Sequence, residues 1–142
     1  MAINRREFFK YLAGTAMAMF SNYASANEES KRLVKLGEER SKAGDLEGAM
    51  RFYEEAMKAD PEDDEVWNNI GVILHKKGRY KEAIPYYSKA IVLNPSDCVT
   101  LGNMAYNYVK LEKWQEAKHW YLEKLKYCEN DAIAQAWLRK LQ

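Results

Sequence analysis

The stretch that decides the fold runs from Asp64 to Pro95 and reads DEVWNNIGVILHKKGRYKEAIPYYSKAIVLNP. The same pattern recurs 34 residues earlier and again 34 residues later. The corresponding positions are Leu33, Trp67 and Leu101; Leu36, Ile70 and Met104; Gly37, Gly71 and Ala105; Ala49, Ala83 and Ala117; and Tyr53, Tyr87 and Tyr121. A fixed period of this length predicts an array in which every copy is one structural unit.

These residues resemble the tetratricopeptide repeat, a helix–turn–helix unit whose first helix carries a large apolar residue, a leucine and a glycine. The second helix carries an alanine and an aromatic residue, and a proline, here Pro61 or Pro95, closes the unit. The third copy departs at Lys124 and Glu129, where the others have alanine and proline, which is typical of the end of an array. The resemblance implies an all-α, right-handed solenoid of three helix pairs plus a C-terminal capping helix.

The predicted boundaries follow from the period and from the helix stop signals. Repeats are expected over about residues 30–63, 64–97 and 98–131, inside a domain of residues 27–142, with a first helix beginning near Glu28. Asn130 or Asp131 is expected to begin a capping helix, over about 131–141, that covers the exposed apolar end of the array. The residues predicted to face inward are Ala132, Ala136, Trp137 and Leu141, and those predicted to face outward are Arg139 and Lys140.

Residues 1–26 lie outside the array and predict an export signal. A charged segment is followed by a short apolar run and then by Ala24-Ser25-Ala26, a small-residue site typical of signal cleavage. The sequence therefore predicts a periplasmic or otherwise exported protein, cleaved after Ala26. The alternative is a basic amphipathic helix at the start of a cytoplasmic protein. The apolar run is too short for a stable membrane span, which needs about 20 residues.

The charged segment also resembles a particular kind of export signal. Arg5, Arg6, Phe8 and Lys10 match the twin-arginine pattern, from which Asn4 and Phe9 depart. The resemblance implies export by the twin-arginine route.

Composition and motifs exclude several classes of function. The 142 residues permit one domain, and 22 basic against 21 acidic residues give no basic excess for nucleic acid. No paired acids, no nucleophile with a base and no phosphate loop can be placed, and the two histidines are far apart. We therefore predict no enzymatic activity, no catalytic residues, no metal and no cofactor.

The two cysteines leave two interpretations open. Cys98 is expected to begin the fifth helix and Cys128 to follow the sixth, so both lie at one end of an antiparallel pair. An oxidising compartment would favour a disulfide if the Cα atoms come within about 7 Å. The alternative is two buried or half-buried thiols.

In the tetratricopeptide family the first helix of each unit lines a concave groove, and the resemblance implies the same here. The candidate groove residues of the second unit are Glu65, Asn68, Asn69, Val72, His75 and Lys76, and those of the third unit are Gly102, Asn103, Tyr106, Val109 and Lys110. Those of the first unit are Lys31, Val34, Lys35, Glu38 and Lys42. In several family members an asparagine at the place of Asn69 and Asn103 hydrogen-bonds the backbone of an extended peptide. The alternative is two ordinary surface asparagines.

Two features of the groove bear on the charge of a ligand that it could bind. Lys42, Lys76 and Lys110 recur once per unit, either as a row that attracts an acidic peptide or as cations that complement helix dipoles. The family's carboxylate clamp is not assembled. The residues that stand where its lysine and asparagine side chains are needed are Val34, Glu38 and Val99.

The sequence thus predicts a non-enzymatic, exported module that captures a protein or peptide segment in the concave face of a three-repeat array. One alternative is an assembly or maturation factor for an exported redox enzyme or cytochrome. Another is a self-assembling structural scaffold, in which the apolar end of one molecule stacks on the next.

Overall fold

A computed structural model describes residues 5–141, so Asn4 of the export segment and Gln142 of the repeat domain lie outside the described residues. Residues 5–141 form seven α-helices and no strand. The helices are α1 Arg5–Lys42, α2 Leu46–Ala59, α3 Asp64–Lys76, α4 Tyr80–Leu93, α5 Cys98–Lys110, α6 Trp114–Tyr127 and α7 Ala132–Lys140. The prediction of an all-α solenoid with three helix pairs and a capping helix is confirmed.

The turn inside each helix pair has the same backbone conformation. Gly44 and Gly78 adopt left-handed φ values of 83° and 73°, which glycine reaches without a steric penalty. Glu112 stands at the same place in the third unit and adopts φ 57°, although it carries a side chain. The third turn therefore keeps the geometry of the other two.

Four aspartates start helices by capping them. The side-chain oxygens of Asp45, Asp63, Asp97 and Asp131 accept hydrogen bonds from backbone N–H groups in the first turn of α2, α3, α5 and α7. These N–H groups have no partner inside the helix, so an aspartate at this position fixes where the helix begins.

Helix α1 is longer than the sequence predicts. The expected start near Glu28 is wrong, because α1 already begins at Arg5 and contains no proline that would interrupt it. Side chains 10–25 are exposed apart from the half-buried Thr15, and packing onto the array begins near Asn27, whose amide donates to Asp60 at 3.3 Å. Between Arg5 and Leu141 no helix combines the length and the apolar character needed to cross a membrane.

The repeated residues build the core by close approach of the paired helices. Ala49, Ala83 and Ala117 are fully buried, and each of the three repeated tyrosines is at most 3% exposed. A Cβ atom added at Gly71 would lie 2.6 Å from the Tyr87 ring, and one at Gly37 would be equally close to Tyr53. The glycines are therefore required by contact with the facing aromatic ring.

Helix α7 covers the end of the array with a different face from the predicted one. Ala132 is exposed, so its expected inward position is wrong, whereas Ala134 is fully buried. The inward residues are Ala134, Trp137, Leu138 and Leu141. Their i, i+3, i+4, i+7 spacing is the stripe by which a helix packs on a core, and the Asp131 cap sets its phase. Arg139 and Lys140 face outward, as predicted.

Lys124, which replaces the repeat alanine, serves the attachment of α7. Its ammonium group lies 2.6 Å from a carboxylate oxygen of Asp131, and both side chains are largely buried. This hydrogen bond, together with the one from the backbone of Ala134, holds the pKa of Asp131 below its ordinary value. The departure from the repeat consensus therefore anchors the cap.

Candidate functional site

The first helices of the units lie side by side, and a concavity opens along them, which we call the groove. It has two sections. The acidic section, about 430 Å³, is lined by Glu38, Asp64, Glu65, Asn68, Asn69, Asn94, Asp97 and Val99. The aromatic section, about 370 Å³, is lined by Val99, Gly102, Asn103, Tyr106, Tyr121, Lys124, Ile133 and Trp137.

The two sections adjoin each other. Val99, at the start of α5, lines both of them. The amide nitrogen of Asn103 donates to the amide oxygen of Asn68 at 2.9 Å and so ties α5 to α3 between the sections. A ligand lying along the groove would therefore contact both.

Asn69 has an unsatisfied amide. Its Nδ2 atom is buried and makes no hydrogen bond to any residue of the described chain, and Asn69 lines the acidic section. A buried donor without a partner costs free energy, so such a group is a natural place for a ligand acceptor. Asn103, its equivalent one repeat later, is already engaged with Asn68.

The aromatic section is built on stacked rings. Trp137 of α7 stacks on the buried Tyr121 with centroids 6.1 Å apart and planes within 7°. Tyr106 lies against the same indole at 6.0 Å, and Val99 and Ile133 beside them are 63% and 65% exposed. This is an apolar surface that remains open to solvent.

His75 is held by a buried asparagine that sequence reasoning missed. Its Nδ1 lies 3.0 Å from the amide oxygen of Asn107, whose own nitrogen donates to the carbonyl of Tyr80. Because that oxygen can only accept, the Nδ1 of His75 carries the proton and donates. The detectable signal was Asn107 itself, a polar residue where the second unit has the buried Ile73.

The other candidate groove residues have varied surroundings. The predicted groove positions of Val34 and Val109 are wrong, because these side chains are 6% and 9% exposed and belong to the core. Val72 is half-buried against that core. Lys42 pairs with Glu38 at 3.7 Å, and Lys76 donates to the hydroxyl of Ser41 at 2.9 Å.

The third lysine of the periodic set has another kind of partner. The ammonium group of Lys110 lies 5.3 Å from the centroid of the Tyr106 ring, a cation–π contact. The three repeated lysines therefore have three different partners.

Burial and electrostatic repulsion both act on the carboxyl group of Glu65. Partial burial and then the neighbouring charges of Asp63, Glu38, Asp64 and Asp97 raise the pKa of its carboxyl group. The negative charge at this point of the groove is therefore poorly compensated.

The cysteines form a disulfide, so the interpretation as two free thiols is wrong. Cys98 and Cys128 are bonded, with their Cα atoms 6.4 Å apart, which fits the predicted location at one end of the α5–α6 pair. The bond closes a loop over a sequence separation of 30. Over the described range, no group of three or more histidine, cysteine, aspartate or glutamate residues could hold a metal ion.

Fold and groove together define a tetratricopeptide solenoid. A tetratricopeptide repeat family model matches residues 64–97, and a second model, described as a TPR repeat, matches residues 37–78. The chain therefore contains tetratricopeptide repeats. No curated protein matches it significantly.

Solved structures with the same fold are numerous. The first TPR of Spaghetti (RPAP3), bound to the HSP90 peptide SRMEEVD, superposes with a TM-score of 0.78 at 24% identity, covering 81% of this chain and 91% of that one. The Arabidopsis OM64 TPR domain gives 0.77 at 17% identity, with coverages of 82% and 96%. The N-terminal domain of C. elegans STI-1 gives 0.73 at 17% identity, with the same coverages. These likenesses establish the fold.

Proposed function

We propose that the protein is an exported, non-enzymatic binding module that captures a segment of another protein in the groove. The observation that carries this proposal is the groove itself, which combines an open apolar surface around Tyr106 and Trp137 with the unpartnered amide of Asn69. Apolar anchors and free backbone-binding groups are what a docked peptide segment uses.

The likeness to Spaghetti adds support, because that TPR domain was solved with a peptide bound. A shared fold does not transfer a ligand, so the argument for this chain depends on its own groove residues.

Two observations support export. The N-terminal part of α1 keeps apolar side chains such as Met17 and Phe20 more than 70% exposed, which suits a segment recognised by an export apparatus. The Cys98–Cys128 disulfide suits an oxidising compartment outside the cytoplasm.

Removing the groove asparagines tests the capture of a segment. Asn69→Ala is expected to weaken partner binding by about 0.5–1.5 kcal/mol, the net value of one hydrogen bond. Asn103→Ala should weaken binding too, but it also removes the hydrogen bond to Asn68 and so should lower the melting temperature. Asn69→Ala should leave the melting temperature unchanged, because its Nδ2 makes no bond that the substitution would break. The measurements are pull-down from periplasmic extract and thermal unfolding, with the exposed Asn130→Ala as control. A sharp fall in melting temperature for Asn69→Ala would make that asparagine structural.

Export is tested at the arginine pair. Arg5→Lys combined with Arg6→Lys is expected to leave the precursor in the cytoplasm, because the twin-arginine route recognises the arginine pair. Cell fractionation measures the result, and Arg139→Lys on the exposed face of α7 is the matched control. Unchanged export of the double variant would remove the twin-arginine route.

A further inference from the structure

The acidic section of the groove has one sign of charge. Four of its lining residues are carboxylic acids, from α1, α3 and the start of α5, and none of the lining residues is a lysine or arginine. A concave surface with one sign of charge concentrates ligands of the opposite sign and repels those of its own.

Three of these four carboxyl groups already have partners, and Glu65 does not. Glu38 pairs with Lys42, Asp64 accepts from the amide of Asn94 at 3.2 Å, and Asp97 caps α5. Within residues 5–141, no lysine, arginine or histidine lies within ion-pair distance of Glu65. A cation brought by a ligand would therefore find one carboxylate free.

The unsatisfied amide of Asn69 is an independent indication of a ligand at the same place. Asn69 follows Glu65 by four residues on α3, so both side chains lie on one face of the helix. Its buried Nδ2 can donate to a backbone carbonyl of a segment whose side chain reaches Glu65. The pair thus offers one contact for a charge and one for a peptide backbone.

The aromatic section supplies the complementary apolar contact. It meets the acidic section at Val99, and it presents Tyr106 and Ile133 to solvent beside the half-buried Trp137. Exposed aromatic and aliphatic side chains of this kind gain most from burying another apolar side chain.

We propose that the groove selects a segment in which a lysine or arginine meets Glu65 while a neighbouring aromatic or aliphatic side chain enters the aromatic section. This inference depends on the proposed capture of a protein segment and adds the chemistry of that segment. The occupant is a cationic and apolar stretch of a partner protein. An acidic segment such as SRMEEVD, with three acidic residues, would place like charges beside Glu65.

The test selects ligands without assuming their sequence. A random peptide library displayed on phage is selected against the immobilised full chain, and enriched peptides are synthesised and titrated by fluorescence anisotropy. We expect enriched peptides to carry a lysine or arginine close to an aromatic or aliphatic residue. Binding should weaken as sodium chloride is raised, because solvent-exposed charge pairs are screened by salt.

Matched variants connect the selected chemistry to the groove. Glu65→Gln should weaken binding of these peptides by roughly five- to tenfold, whereas Glu54→Gln, on the exposed surface of α2, should leave it unchanged. A charge-reversed peptide with glutamate in place of the lysine or arginine should bind unmodified protein less tightly than Glu65→Gln protein. Equal thermal unfolding of both variants would show that folding is not the cause.

The outcomes separate this inference from the proposed function. Selected peptides that are acidic or neutral, yet lose binding in Tyr106→Ala, would overturn the cationic ligand and leave capture in the groove intact. Peptides that bind Tyr106→Ala and Glu65→Gln as tightly as they bind the unmodified protein would overturn both the inference and the proposed function. If the full chain forms concentration-dependent oligomers and Glu65→Gln dissociates them, the occupant of the groove is a second copy of this chain. That result would overturn the proposal that the occupant is a partner protein.

Discussion

Replacing both cysteines, Cys98→Ser with Cys128→Ser, is expected to lower the free energy of unfolding by about 3–4 kcal/mol. The reason is the loop over a sequence separation of 30 that the disulfide closes, because opening it gives the unfolded chain more conformational freedom. The third unit depends most on this bond, since no proline closes it and its α5–α6 turn uses Glu112 at a positive φ. Urea unfolding measures the loss, and hydrogen exchange should show it first in α5 to α7.

The control for this prediction is the reducing agent itself. Unmodified protein should lose the same stability when it is reduced, and the double serine variant should not respond. Two free thiols per chain in denatured, unreduced mature protein would contradict the disulfide.

Removing the central aromatic residue, Tyr87→Ala, should cost about 3–5 kcal/mol, the range for emptying a large aromatic site in a core. Tyr87 is 1% exposed, and its ring lies directly against the backbone of Gly71. It belongs to the middle unit, and in a repeat array the middle unit supports both neighbours. Loss of this ring should therefore lower the unfolding transition of the whole array.

Two variants give the comparison for Tyr87. Tyr87→Phe keeps the ring and should retain most of the stability, and Tyr127→Ala removes a tyrosine that is 52% exposed and should have a small effect. If Tyr87→Ala lowers the free energy of unfolding by less than about 1 kcal/mol, the neighbouring side chains fill the space that the ring leaves, and the prediction is wrong.

The fold could be predicted because each unit repeats the same packing of a small residue against an aromatic ring. The small residues at Gly37 and Gly71, and the tyrosines that pack on them, recur at a fixed period, so the helix pairs and their order follow from the sequence. The ends of the array could not be predicted as well, because they lack a neighbouring copy for comparison. The extension of α1 to Arg5 and the burial of Ala134 in place of Ala132 are both of this kind.

The sequence predicted where the groove lies, but it did not predict the charges and hydrogen bonds of the residues that line it. The repeat period located Asn69, Asn103 and Tyr106 on first helices, but it could not show that Asn103 is held by Asn68. The charge of the acidic section arises from residues of α1 and α3 and from the cap of α5, which only the packed structure brings together. The repeat pattern had placed Glu38 and Glu65 in the groove, but it did not indicate that Asp64 and Asp97 line the same concavity and make it acidic.

Departures from the repeat pattern proved informative about the structure. Lys124 breaks the alanine pattern because it binds Asp131, and Asn107 breaks the apolar pattern because it holds His75 and the carbonyl of Tyr80. Both substitutions place a polar group where a partner from a neighbouring helix satisfies it, which is the condition for burying such groups.

Site-specific photocrosslinking in living cells tests the central claim most directly. A photoreactive amino acid is placed at Tyr106, in the groove, or at Val92, which is 75% exposed on α4 outside the groove. If the groove captures a protein segment, the Tyr106 derivative should yield a discrete crosslinked partner protein and the Val92 derivative should not. Crosslinking from Val92 alone, or equally from both positions, would contradict capture in the groove.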